Sequence, residues 1–101
     1  MSEIESRTSE RVPDEAIMAF VYERVCVLEG VYGLRKKTRS VRVTFEEGNR
    51  YTIDIDMIAT YGTNIPETAW NVQKNVFDGL KDEYGIEPDD INIHVQGVNA
   101  G

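Results

Sequence analysis

Apolar residues recur at three- and four-residue intervals through Ile17, Phe20, Val21, Val25 and Leu28, with Glu23 and Arg24 between them. That spacing predicts an amphipathic helix from Asp14 to Glu29. Pro13, Asp14 and Glu15 mark its start, because a first turn has no use for the proline N–H and acids oppose the positive end of the helix dipole. Gly30 supplies the stop. The period then changes to two. Val41, Val43 and Phe45 alternate with Arg42, Thr44 and Glu46, and Tyr51, Ile53, Ile55 and Met57 alternate with Thr52, Asp54 and Asp56. Both runs read as half-buried strands, and Glu47-Gly48-Asn49 between them makes an antiparallel hairpin. Val31 to Leu34 is apolar but broken by Gly33, so it reads either as a further short strand or as a loop.

A second helix is predicted from Ile65 to Tyr84, with Ala69, Val72, Val76, Phe77 and Leu80 as its apolar stripe. Its start is strongly specified. Asn64 is a good N-cap, Pro66 falls in the first turn, and Glu67 stands three residues beyond the cap, as in a capping box. Gly85 sits where a C-terminal cap belongs. Gly79, inside the helix, costs about 1 kcal/mol relative to alanine and so marks a place where another element comes close. Beyond the loop Pro88-Asp89-Asp90, Ile91, Ile93 and Val95 alternate with Asn92, His94 and Gln96 in a last strand.

The order is therefore α-β-β-α-β, with the extra strand near Val31 left open. A strand, a long helix and another strand in one sheet require a crossover, which makes the strands at Tyr51 and Ile91 parallel. Two helices with one apolar stripe each, and strands that alternate cleanly, predict an α+β fold. It is a two-layer sandwich, both helices packed on one face of a small mixed sheet. The opposite face then presents Arg42, Thr44, Thr52, Asp54, Asp56, Asn92, His94 and Gln96 to solvent or to a partner.

At 101 residues the chain supports one domain, expected over residues 13–98, after a polar tail at residues 1–12 with no sustained periodicity. A net charge of -7 opposes general nucleic-acid binding by the whole domain, since phosphate backbones require clustered cations. One stretch departs from that balance. Arg35, Lys36, Lys37, Arg39 and Arg42 concentrate five of the eleven basic residues in an acid-free segment. Such a patch suits an anionic protein, an anionic lipid surface or RNA, and a solvated connection explains it equally well. Gly30-Val31-Tyr32-Gly33 matches the G-x-x-G of RNA-clamping KH domains, but there the loop joins two helices, whereas here it leads toward a hairpin.

Few residues offer chemistry. His94 is the one histidine; near Asp54 or Asp56 it could serve as a base or metal ligand, although strand alternation alone would put these residue types on a wet face. Cys26 excludes an intramolecular disulfide and reads as a small buried thiol. No nucleophile–base order, zinc ligand set or phosphate-cradling loop is present, so no enzyme activity, cofactor or small-molecule substrate is expected. The N-terminal residues lack the apolar core of a secretory signal, and the run Ala16 to Tyr22 is far below the roughly 20 residues that span a bilayer. A cytoplasmic location is the expectation.

Three blocks taken together resemble the alkaline shock protein family, also called the general stress protein family, of Gram-positive bacteria. They are Gly30-Val31-Tyr32-Gly33-Leu34, then Tyr61-Gly62-Thr63-Asn64-Ile65-Pro66-Glu67 with Val72, Gln73 and Val76, and last Ile93-His94-Val95-Gln96-Gly97-Val98. The resemblance implies a non-enzymatic protein of cell-envelope homeostasis and stress tolerance, which meets a membrane-anchored protein or self-associates. The bulky Phe20, Val21, Tyr22, Arg24 and Val25 depart from the alanine-rich first helix usual in that family. On this reading the contact surfaces are the sheet face of Thr52, Asp54, Asp56, Asn92, His94 and Gln96 and the basic stretch from Arg35 to Arg42. Nucleic-acid binding or regulation through that stretch is the alternative.

Overall fold

A computed structural model describes residues 12–34 and 39–100 of the chain. The tail expected at residues 1–12 lies outside the described residues except for Val12, which packs against the core, and Arg35, Lys36 and Lys37 also lie outside them. The elements are α1 (Asp14–Cys26), β1 (Val31–Leu34), β2 (Val41–Glu46), β3 (Arg50–Thr60), α2 (Ile65–Tyr84) and β4 (Asp90–Asn99). The mixed α+β architecture is the one expected, and the open segment near Val31 is a strand.

β3 organises the sheet. Its residues 52–60 pair in parallel with β4, while β2 pairs antiparallel with residues 50–55 and β1 antiparallel with residues 57–59. β1 and β2 therefore follow one another along one edge of β3, and β4 fills the other. The parallel β3–β4 ladder is the crossover that the intervening helix demands. Gln96 is an extra residue in β4, because Met57 pairs with Val95 and Ile58 with Gly97.

Period two along β3 decides which side is dry. Tyr51, Ile53, Ile55, Met57 and Ala59 are buried, and Thr52, Asp54 and Asp56 between them are not. Against the buried row pack Ile17, Val21 and Val25 of α1 and Val72, Val76 and Leu80 of α2. Full burial of each such side chain is worth roughly 1.5–3 kcal/mol, so this interlayer contact holds the domain together. α1 lies over β1 and β2, and α2 over β4.

The helix ends follow local chemistry. Asn64 Oδ1 accepts from the Glu67 amide at 3.0 Å, satisfying one of the free N–H groups of α2. Gly85 adopts the left-handed conformation, φ 72°, and its amide and that of Ile86 bond back to Lys81 and Leu80 carbonyls. α1 stops at Cys26, three residues before the expected Glu29. The Leu28 amide bonds to the Val25 carbonyl and the Val31 amide to the Leu28 carbonyl, so this stretch becomes tight turns. Those turns bring Gly30, at φ +91°, against α2: a Cβ there would lie 2.6 Å from Thr68 Oγ1. Gly79 also marks a close approach. A Cβ on it would meet Phe20 and Arg24 of α1 at 3.0 and 3.1 Å.

Candidate functional site

The face of the sheet away from the helices carries a connected set of polar side chains, positioned by strand register. Arg42 of β2 stands opposite Asp54 of β3, Asp54 opposite Asn92 of β4, and Asp56 opposite His94. The bonds run along these rows and diagonally between them. Arg42 donates from both terminal nitrogens to the carboxylate of Asp56, at 2.8 and 3.2 Å, and also to the Arg39 carbonyl at 3.2 Å. Asn92 Nδ2 donates to Asp54 Oδ1 at 3.1 Å, His94 Nε2 lies 3.0 Å from the same oxygen, and Gln96 Nε2 reaches Asp56 Oδ1 at 3.4 Å.

These contacts set the charges. The hydrogen bond from His94, helped by Asn92 and by the nearby charge on Arg42, holds the Asp54 carboxyl below its ordinary range and outweighs partial burial. The bond to Asp56 fixes Arg42 still more firmly in its charged form. Each carboxylate thus has a cation or a histidine beside it, and both remain only partly covered. Chemically, the set is a surface of hydrogen-bond donors and acceptors. It can be read by a protein surface of matching polarity.

The sequence-derived surface of Thr52, Asp54, Asp56, Asn92, His94 and Gln96 is therefore brought together in space, because all six project from adjacent strands. Of the basic stretch only Arg39 and Arg42 lie among the described residues. Arg42 belongs to the sheet network through Asp56, and Arg39 is exposed at the turn before β2. Gly30-Val31-Tyr32-Gly33 occupies a turn and β1, where a KH loop would need a helix on either side. Cys26 ends α1 and is only half buried, against the expectation of a buried thiol, because the helix stops there. Among the described residues no three His, Cys, Asp or Glu side chains are placed to hold a metal ion. No helix among them is long and apolar enough to cross a membrane.

Sequence reasoning missed a second region, between α2 and β4. Trp70, Gln73, Phe77, Pro88 and Ile91 line a cleft of about 350 Å³, and Gln73 Nε2 donates to the Ile91 carbonyl at 2.7 Å. The one available signal was Trp70, a large aromatic beside Asn71 and Lys74 on the polar flank of its helix.

The fold and the sheet face define the class: a small α+β sandwich with exposed polar side chains on the sheet face opposite its helices. The chain belongs to the alkaline shock protein family, described as having a cell envelope-related function, whose family model matches residues 14–100. The three sequence blocks had pointed to the same family. The chain is 43% identical over 69 residues to the uncharacterized protein YloU of Bacillus subtilis (strain 168), a match covering 66% of this chain and 57% of that protein. It is 30% identical over 84 residues to the uncharacterized protein Spy1535 of Streptococcus pyogenes serotype M6, covering 72% and 65%. A third relative, the uncharacterized YqhY of Bacillus subtilis, is 36% identical over 47 residues, covering 46% and 35%. The chain thus spans less than two thirds of the length of each of these relatives. No solved structure matches it.

Proposed function

We propose that this chain is a non-enzymatic binding and scaffold protein of cell-envelope homeostasis and the stress response, held at the membrane by a membrane-anchored protein partner. The observation that carries the reading is the outer sheet face. Asp54, Asp56, Arg42, His94 and Asn92 are ordered by one another over three strands and left uncovered. A rigid polar patch on a sheet is a surface for specific protein contact, since its donors and acceptors are already oriented and lose little freedom on binding. The family's envelope-related role supplies the setting.

Cross-linking in the native cell, followed by membrane fractionation and recovery of the full protein, tests this. The expected result is an integral membrane protein cross-linked to the sheet face, and its loss in the double variant Asp54→Lys, Asn92→Lys. A strict monomer that fractionates without any envelope protein overturns the reading. RNA and DNA offered at low salt serve as the control, and retention there that falls steeply with salt would transfer the function to the basic stretch.

A further inference from the structure

The outer edge of β4 and the cleft beside it form a surface separate from the polar face. Among the described residues β4 pairs only with β3, so its outer edge is open to a further strand. The other strands have features that discourage pairing. β1 is four residues long with a register shift, and β2 carries Arg42 and Glu46 within six residues. β4 has ten residues, with Asp90 as its one acid, and neither lysine nor proline. Its register stays regular as far as Val95.

α2 overhangs this edge from the helix layer. Trp70 is 58% exposed and shares the cleft with Phe77, Pro88 and Ile91, while Gln73 already answers one edge group, the Ile91 carbonyl. Ile91 and Ile93 are only partly covered and Val95 is exposed. The rim is acidic. Asp78 and Asp89 line the cleft and Asp90 opens the strand, while Lys74, the one cation among the described lining residues, is paired with Asp78 at 3.1 Å.

We propose that this edge and cleft accept an extended segment of a partner protein as an added strand, with apolar side chains at alternate positions and basic residues flanking them. Main-chain bonds along β4 would hold the segment, and its apolar residues would cover Trp70, Ile91 and Ile93. Charge selects the partner: a basic segment meets the acidic rim, whereas a second copy of this chain brings another net -7 toward it. The proposal rests on the binding reading above and adds a second contact, distinct from the polar face.

The test is selection of short random peptides on the full chain, followed by titration of the selected peptide into isotope-labelled protein observed by NMR. Selected peptides should share alternating apolar positions flanked by lysine or arginine, and their shifts should fall on β4 amides and the Trp70 indole. Trp70→Ala should weaken binding by about tenfold or more, as loss of an aromatic anchor does, and added salt should weaken it further. N-methylating alternate peptide residues separates an added strand from mere apolar contact. A strand turns its N–H groups alternately to either side, so one N-methylated series should abolish binding and the other should not. Peptides without that pattern, shifts on the outer sheet face, equal effects of the two series, or a dimer whose β4 amides are protected from exchange would each overturn it. An envelope protein cross-linked only to the polar face would keep the proposed function and remove this second contact.

Discussion

Replacing Gly30 by alanine should be among the most damaging single-methyl changes in this domain. Two effects add. At φ +91° a Cβ is strained by its own backbone, which costs roughly 1–2 kcal/mol for a non-glycine residue. The new methyl would also stand 2.6 Å from Thr68 Oγ1 and 2.9 Å from Thr63 Cγ2, and Thr68 is only 4% exposed, so it has little room to retreat. Overpacking of this kind costs about 1–3 kcal/mol. The sum is about 2–5 kcal/mol, and about 4–8 °C of melting temperature accompanies each kcal/mol in a domain of this size.

Gly62 provides the internal control. Its φ is +88°, almost the same, but no atom lies within 4 Å of a Cβ built there. Gly62→Ala should therefore show the backbone component alone. Urea denaturation of both variants, read as midpoint shifts at constant slope, separates the two contributions. Equal destabilisation of Gly30→Ala and Gly62→Ala would refute the packing argument, because it would mean that α2 yields to the methyl without resistance.

Removing the cap of α2 by Asn64→Ala should cost about 1 kcal/mol in denaturation, with Asn64→Asp close to the wild type. Arg42→Ala should cost only about 0.2–1 kcal/mol by the same measurement, since the pair with Asp56 is surface exposed and screened. The depressed carboxyl of Asp54 gives a pH dependence of known sign. Its contribution is complete above the ordinary carboxylate value, about 4, and is lost as pH falls through the lower folded-state value. Wild type should therefore lose stability more steeply than Asp54→Asn as urea titrations move to acid below that point, and identical slopes would exclude the His94 and Asn92 bonds as its source.

The elements could be read from sequence wherever period and punctuation agreed. β3 alternates in sequence from Tyr51 to Met57, and α2 has both a capping asparagine and a terminating glycine, so its limits Ile65 and Tyr84 follow directly. α1 had only a glycine to mark its end. Gly30 does end the helical path, but as the last residue of a turn that had begun at Val27, and periodicity cannot distinguish the last turn of a helix from that arrangement. β1 was ambiguous for a related reason: four residues with a glycine are too few to establish a period, and pairing with β3 supplies what local sequence lacked. The polar face was legible because strand parity fixes which side chains share a side. The cleft was not, since it depends on how α2 lies over β4.

The blocks that carry the family resemblance divide into two physical groups. Gly30, Asn64, Val72 and Val76 are accounted for by a close approach, a helix cap and the core, so they would be required of this fold whatever it binds. Tyr32, Tyr61 and Val98 have no such account: all are exposed, and Tyr61 is 75% so, whereas His94 and Gln96 are tied to Asp54 and Asp56 of the polar face. Tyr32, Tyr61 and Val98 gather at the end of β3, since Ala59 pairs with Val31 on one side and Val98 on the other and the Tyr61 amide donates to the Asn99 carbonyl at 2.8 Å. Folding alone does not demand an exposed tyrosine or valine at those positions. The part of the resemblance left unexplained by stability thus converges on the end of β3 and its neighbours β1 and β4, and favours that region for the contacts proposed for this domain over the capped start of α2.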